Sequence, residues 1–233
     1  MANPTNSDMG KLKRLARYIK QNPRAILFYP FQNATNMIRT FTDTDWAGCI
    51  RTRKSTQGGM TMVGQHCIKS WSTTQAFISL SSAESEYYGV VKGASISLGM
   101  QSMYRDMGLS TDIELLTDAS AAKGIASRRG LSSRTRHVAV HYLWLQERVI
   151  SGQIKVSKVK GTSNPADLLT KHLTQDCMKR YMQTVNLIFL DGRADIAPQV
   201  SNVSPLRTHG WQSDLRLLSV RASRGVLSAG GCK

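Results

Sequence analysis

Asp and Glu together number only 15 in this 233-residue chain, against 31 Lys and Arg, and the formal charge is +16. Where acids occur in so basic a chain is the first guide to its chemistry. Asp43 ends a strand-like run in FTDTDWAG, and Asp118 ends another in LLTDAS. Carboxylates at strand ends in a mixed α/β sheet face the crevice where such sheets bind ligands. An Asp after a strand also starts turns and caps helices, so each alone is ambiguous and the pair less so. Glu84 and Glu86 share the segment SSAESEYYG, but residues two apart on a helix point about 200° apart, so both cannot face one site. Ser81 and Glu84 have the spacing of a capping box, in which the serine accepts from the amide three residues on and the glutamate accepts from the cap amide. That leaves Glu86 free for chemistry. Asp167 falls in the first turn of the last expected helix, where it also suits the helix dipole.

Carboxylates brought together from separate elements repel one another unless cations neutralise them. Hard divalent cations with oxygen ligands do so, and two Mg²⁺ ions about 3.5–4 Å apart activate water and stabilise the leaving oxygen of a phosphodiester. A strongly basic protein suits a polyanionic substrate. Asp43, Glu86, Asp118 and Asp167 are therefore the candidate metal ligands and catalytic residues of a metal-dependent nuclease.

The elements that must position these acids are legible in the hydrophobic pattern. A short basic amphipathic helix places Leu12, Leu15, Ala16 and Ile19 on one face before Asn22-Pro23 ends it, and residues 25–29 read as a strand. Residues 38–42 and 59–71 read as three consecutive strands, the last two joined by a hairpin at Gly64-Gln65. Ala83, Tyr87, Val90, Val91, Ala94 and Leu98 then lie on one stripe of a helix. A strand at 113–117, a short helix at 119–126, a longer one from Val138 to Ile150, a strand at 153–160 and a helix from Asn164-Pro165 to about Met182 follow. The order βββαβααβα predicts an α/β protein with a five-stranded mixed sheet and helices on its faces. Residues 1–36 read as a basic helix and connector, 37–182 as the domain, and 183–233 as a loosely ordered tail.

Composition narrows the class further. No window reaches the roughly 18 apolar residues of a membrane span, and the N-terminus lacks the apolar run of a secretory signal, so no membrane partner is expected. Cys49, Cys67, Cys177 and Cys232 lack metal-ligand spacing and fit free thiols in a reducing compartment, the cytoplasm or alternatively the nucleus. His137 and His141 stand one helical turn apart, but with no intervening Glu and no third ligand they make a poor zinc site. Trp46 and Trp71 read as core aromatics in preference to stacking platforms.

The blocks LKRLARYIKQNP, FTDTDWAGC, TRKSTQGG, IKSWST, SLSSAESEYYG, LLTDASAAKGIA, RTRHVAVHYLWLQE and NPADLLTKHL, in this order from about Leu12 to Leu173, resemble the ribonuclease H domain of copia-type LTR retrotransposon polyproteins. The resemblance implies an RNase H-like fold and hydrolysis of the RNA strand of RNA–DNA hybrids with two Mg²⁺ ions, Mn²⁺ being a substitute. It assigns the metal-binding acids to Asp43, Glu86, Asp118 and Asp167: Asp43 bridging both ions, Glu86 and Asp118 on one, and Asp167 on the other. Asp45 also fits the family pattern, and Asp43 is preferred because it matches the strand-ending Thr-Asp of RNase H enzymes. Gly161-Thr162-Ser163 stands where cellular enzymes place a mobile histidine loop, and His172 lies five residues beyond Asp167. A reverse transcriptase segment of the same element is the implied neighbour, joined through the N-terminal helix. The alternative from another class is a non-catalytic nucleic-acid-binding remnant of such an element.

Ser82 and Ser120, beside two of the acids, are candidates for contacts to 2′-hydroxyls. Lys123, Arg128, Arg129, Arg134 and Arg136 form a run without an acid and read either as a phosphate track or as a solvated basic face. Neutralising Arg128, Arg129 and Arg134 together is expected to weaken hybrid binding and to flatten the log–log salt dependence by about 0.7–0.9 for each phosphate that no longer meets a cation. A slope unchanged in filter-binding titrations would assign the run to ordinary surface.

Overall fold

The computed structural model describes residues 5–192. Helix α1 (Asn6–Gln21) and strand β1 (Arg24–Leu27) precede β2 (Met37–Asp45), β3 (Thr56–Val63), β4 (His66–Thr74), α2 (Ser82–Asp106), β5 (Asp112–Thr117) and α3 (Ser120–Ala126). Next come α4 (Trp144–Ile150), β6 (Ile154–Lys158), α5 (Gln175–Thr184) and β7 (Leu187–Leu190). The main sheet has the order β4-β3-β2-β5-β6. β2 is antiparallel to β3 and parallel to β5, so the central strand carries Asp43 between an antiparallel half and a parallel half. This is the expected α/β, RNase H-like fold with a five-stranded mixed sheet, and the order βββαβααβα holds from β2 to α5. The hairpin turns at Gly64, whose φ of 59° a glycine adopts without strain.

One face of the sheet is covered by α2. Tyr87, Val90, Val91 and Ala94, from the stripe read in the sequence, bury against Ile38, Ile113, Leu115 and Ile154, with Ala83 and Leu98 packed at the edges. The other face carries a smaller cluster in which Met60, Met62, Cys67 and Val185 pack with Leu27, Phe41, Leu168, Leu169 and Leu187. β3 is buried along most of its length because both faces are covered.

Three expectations are corrected. No single helix runs from Asn164 to Met182: Pro165–Leu169 is a 3₁₀ turn, and α5 starts afresh behind the cap Thr174. The chain is diverted there by long-range bonds, the Thr170 hydroxyl donating to Asp43 and the Ser72 hydroxyl donating to the Leu169 carbonyl at 2.7 Å. The helix expected from Val138 is likewise shorter, a 3₁₀ turn at Val140–Tyr142 leading into α4, and the Tyr142 carbonyl accepts from the Tyr87 hydroxyl at 2.8 Å. Residues 183–190, expected to begin a loose tail, complete α5 and form β7, which pairs antiparallel with β1 from Arg24↔Leu190 to Leu27↔Leu187. The first of these strands is legible in the sequence at residues 25–29, but its four-residue partner after α5 has too little alternation to announce itself, and packing of Leu27 and Leu187 on the second cluster is what joins the two. Residues 193–233 of the expected tail lie outside the described residues.

Among the described residues no helix is long and apolar enough to cross a membrane. Cys49, Cys67 and Cys177 are free thiols, and Cys232 lies outside the described residues. Trp71 is core, lying over Gly59, whereas Trp46 is 47% exposed and donates its indole N–H to the Ser79 carbonyl at 3.0 Å.

α2 lies close against β2 because two of its inward positions have no side chain. A Cβ on Gly93 would lie 2.7 Å from Thr42 Cγ2 and 3.2 Å from Thr40 Cγ2, and one on Gly89 would lie 2.7 Å from Thr44 Oγ1. Ser97 continues the close packing, its hydroxyl 2.7 Å from that of Thr40. Alanine in a helix gains up to about 1 kcal/mol over glycine, but overpacking a filled core costs about 1–3 kcal/mol. At Gly93 the second effect wins, because Thr40 and Thr42 are fully buried on a central strand and cannot retreat. Gly93→Ala should therefore lower stability in urea titrations by about 1–2 kcal/mol. Gly99→Ala, on the same helix with nothing within 4 Å, should instead raise it by a fraction of a kcal/mol to about 1 kcal/mol. Equal effects at the two positions would show that the close approach is not tight.

Candidate functional site

The close approach of α2 decides where Glu86 sits. One helical turn before Gly89, it is carried over the end of β2, where Asp43 is 1% exposed. Asp118 arrives from the neighbouring strand, since Thr117 of β5 stands opposite Thr42 of β2 in the parallel register. One carboxylate oxygen from each of Asp43, Glu86 and Asp118 lies within 4.8 Å of the other two. Three chain segments far apart in sequence thus converge on one point.

The electrostatics of this point are those of a site short of positive charge. Burial, with Asp43 and Asp118 close by, pushes the Glu86 carboxyl up to about 8. Burial and then Asp43 also raise Asp118. Glu86 Oε2 is buried without a hydrogen-bond partner, an arrangement that costs about 1–3 kcal/mol or more unless something completes it. An all-oxygen donor set with an orphaned oxygen fits a hard divalent cation such as Mg²⁺ or Mn²⁺. Asp43, Glu86 and Asp118 are the residues that would hold it.

Asp167 is not part of this triad. It belongs to the 3₁₀ turn that Asn164 opens, and Asn164 is itself fully buried, donating from Nδ2 to the Thr42 carbonyl at 3.0 Å and accepting from the Ala166 amide at 3.3 Å. That tie to the residue before Asp43 brings Asp167 alongside β2. Between the two acids stands Lys171, with Nζ 2.8 Å from Asp43 Oδ1 and 2.8 Å from Asp167 Oδ1. The Thr170 hydroxyl donates to Asp43 Oδ2. Behind Asp167, the buried Tyr181 hydroxyl donates to Oδ2 at 3.4 Å and lies 3.1 Å from the Gly161 carbonyl. Burial raises Asp167, the Lys171 hydrogen bond opposing it, and the two carboxylates hold the Lys171 ammonium well above its ordinary range in spite of partial burial. Gly58, the register partner of Asp43, leaves the room this requires: a Cβ there would lie 2.8 Å from Leu169 Cβ and Thr170 Cγ2.

Sequence reasoning missed Lys171, Thr170, Asn164 and Tyr181. Only Lys171 left a signal, its four-residue spacing from Asp167. Glu84 is structural as expected, though not by the expected bond. The Ser81 hydroxyl accepts from the Glu84 amide at 3.2 Å, but the Glu84 carboxylate accepts from the Leu80 amide at 2.7 Å, the Tyr88 hydroxyl at 2.6 Å and His137 Nε2 at 2.9 Å. Burial would raise its carboxyl, and the bonds from Tyr88, Leu80 and His137 outweigh that and hold it below the usual range. The same bond takes His137 away from any zinc site. Asp45, the other acid of TDTDWAG, turns over the following bend, its Oδ2 crowding Gly48, and stays out of the triad. His172 is exposed.

Ser82, one helical turn before Glu86, and Ser120, two residues after Asp118, are exposed, Ser120 accepting from Lys158 Nζ at 2.6 Å. Lys123, Arg129 and Arg136 are exposed, while Arg128 is half-buried and donates to Thr135 Oγ1 at 3.0 Å. Buried Gln146 holds this segment by accepting from the Gly130 amide and donating to the Ile125 and Gly130 carbonyls. Arg128 thus serves the fold of the basic loop; the side chain of Arg134 lies outside what is described.

No family model matches the chain. It is 27% identical over 172 residues to the retrovirus-related Pol polyprotein from transposon TNT 1-94 of Nicotiana tabacum, a match covering 73% of the chain and 13% of the polyprotein. It is 29% identical over 187 residues to that from transposon RE2 of Arabidopsis thaliana, covering 79% and 13%. The chain therefore spans about an eighth of the length of these relatives. Among solved structures, the N-terminal RNase H domain of a Mycobacterium tuberculosis protein aligns with 64% of the chain and 99% of its own length at 16% identity and a TM-score of 0.42. An RNase H1 called LC11, in complex with an RNA/DNA hybrid, aligns with 57% and 92% at 14% identity and a TM-score of 0.40. The resemblance to the ribonuclease H domain of a copia-type polyprotein is borne out by the two transposon Pol polyproteins together with the sheet topology.

Folding lifts Glu86 from an ordinary 4.5 to about 8. Folding therefore favours its neutral form, and this contribution to stability is fully present below about 4.5 and lost as pH rises through about 8. In EDTA, the melting temperature is expected to fall across that window, and Glu86→Gln should flatten the fall. A slope untouched by the substitution would place the titrating group elsewhere.

Proposed function

We propose that this chain is a divalent-metal-dependent endoribonuclease that hydrolyses the RNA strand of RNA–DNA hybrids, leaving a 5′-phosphate and a 3′-hydroxyl. The observation that carries the reading is the convergence of Asp43, Glu86 and Asp118 around a buried oxygen of Glu86 that has no partner. Bound divalent ions supply charge to the leaving oxygen and lower the pKa of a nucleophilic water. Asp43, Glu86 and Asp118 would hold one ion, and Asp43 with Asp167 would hold a second. Tyr87, Val90, Val91 and Ala94 of α2 pack on Ile38 of β2 and Leu115 of β5, which holds the backbones that carry the acids and leaves little reorganisation for the reaction itself.

Substrate choice follows from charge and from what surrounds the acids. The formal charge of +16 favours a polyanion. Ser82 and Ser120, close in sequence to Glu86 and Asp118, have exposed hydroxyls that can meet 2′-hydroxyls of one strand. Lys123, Arg129 and Arg136 offer cations to phosphates from the loop that buried Gln146 holds in place. A reverse transcriptase segment of the same polyprotein is the natural partner, since the relatives are Pol polyproteins of which this chain matches 13%.

Cleavage of a labelled hybrid with Mg²⁺, beside single-stranded RNA and duplex DNA, tests the reading directly. Asp43→Asn, Glu86→Gln and Asp118→Asn should each reduce hybrid cleavage by at least about a hundredfold in folded protein, the scale on which one charge at a reacting centre matters. Glu84→Gln should retain far more activity at lower stability, because its carboxylate serves Leu80, Tyr88 and His137. Tight hybrid binding with no cleavage by the wild type would return the non-catalytic reading.

A further inference from the structure

We propose that Lys171 is a resident counter-cation that occupies the place of the second metal ion, so that the site fills in two unequal steps and the second requires the Lys171 ammonium to leave. The inference rests on the metal-dependent reading above and deepens it. Lys171 Nζ lies 2.8 Å from one oxygen of each acid assigned to the second ion, Asp43 and Asp167, which is where a cation shared by those two acids must be. Its ion pairs are with Asp43 and Asp167, and Glu86 Oε2 stays unpartnered. The first ligand set thus keeps an unpartnered oxygen, while the two acids of the second are already paired with a cation from within the chain.

The root of Lys171 is fixed by the backbone, whereas its tip is held by the two ion pairs alone. The Lys171 amide donates to the Asp167 carbonyl at 3.0 Å, the Thr170 hydroxyl holds Asp43, and the Leu169 carbonyl is taken by Ser72. The side chain itself is 40% exposed, so the ammonium can swing to water through its own rotamers without opening the core. Without any ion, the lysine keeps the buried Asp43 and Asp167 from repelling one another. With the first ligand set filled, a second cation competes for oxygens that the ammonium already holds, and its apparent affinity is lowered by the cost of breaking that pair.

Titration of the full chain with Mn²⁺, read by electron paramagnetic resonance of the free ion, should give one tight site and a second at least about tenfold weaker. Lys171→Met, which keeps the stem and removes the charge, should tighten the second site about tenfold, the change expected when a close charge pair no longer has to be broken. It should also lower the melting temperature in EDTA and leave it near wild type in Mn²⁺, while Lys171→Arg should keep the second site weak. A second measurement needs no variant: acylation of Lys171 by an amine reagent, followed by mass spectrometry, should rise several-fold across the weaker Mg²⁺ step and not across the tighter one. Two sites of equal affinity in wild type and Lys171→Met, or a reactivity of Lys171 blind to Mg²⁺, would overturn the inference and leave the nuclease reading standing. Binding of no Mn²⁺ by any form would overturn both.

Discussion

The mutual repulsion of buried carboxylates at the end of the central strand is the constraint to which the surrounding structure answers. Unit charges about 4 Å apart repel by about 4 kcal/mol at the effective dielectric of a protein surface, comparable with a large part of a domain's net stability. A protein brings Asp43, Glu86 and Asp118 together only if other interactions hold their backbones in place. The hydrophobic stripe of α2, the ladder pairing of β2 with both neighbours and the buried side chain of Asn164 do this. Each acts on backbone a residue or a turn away from an acid, so that Glu86 Oε2 is left without a partner and, among the described residues, the Asp43 carboxylate meets only the side chains of Thr170 and Lys171 as donors.

The price of that arrangement is visible in what has been left out. Gly89 and Gly93 remove side chains where α2 meets β2, and Gly58 removes one where Thr170 and Lys171 return to Asp43. Glycine is unfavourable in both helix and strand interiors, so its presence at three inward positions marks geometry ranked above local propensity. The two glycines on α2 set the height of Glu86 over the sheet, and Gly58 admits the lysine. Stability lost at these positions is offset on the opposite face, where β1 and β7 pair and cover Met60 and Met62.

The two glutamates of SSAESEYYG show how much a pattern can decide. Helical geometry alone required that one face the site and one not, and Ser81 identified the structural one correctly. What Glu84 binds was not legible, because Tyr88 lies a turn along the helix but His137 comes from a loop more than fifty positions away. The expectation of an unbroken helix after Asn164 failed for a similar reason. Its hydrophobic pattern is helical, but Thr170 and Ser72 divert the chain through bonds that no local window contains.

By itself the sequence determined the order of strands and helices from β2 to α5, the inward stripe of α2, the chemistry of a basic chain with few and grouped acids, and the identity of the residues at the centre. These follow from periodicities and residue types that act over a few positions, and such information is local. Only the tertiary structure decided that three acids converge while Asp167 stands apart behind Lys171, that Arg128 is engaged by Thr135, and that the chain from Leu187 to Leu190 closes a ribbon with β1. Those outcomes depend on which distant groups reach each other once the core has closed. Charge pairing and burial are set by that proximity, and no spacing along the chain specifies it.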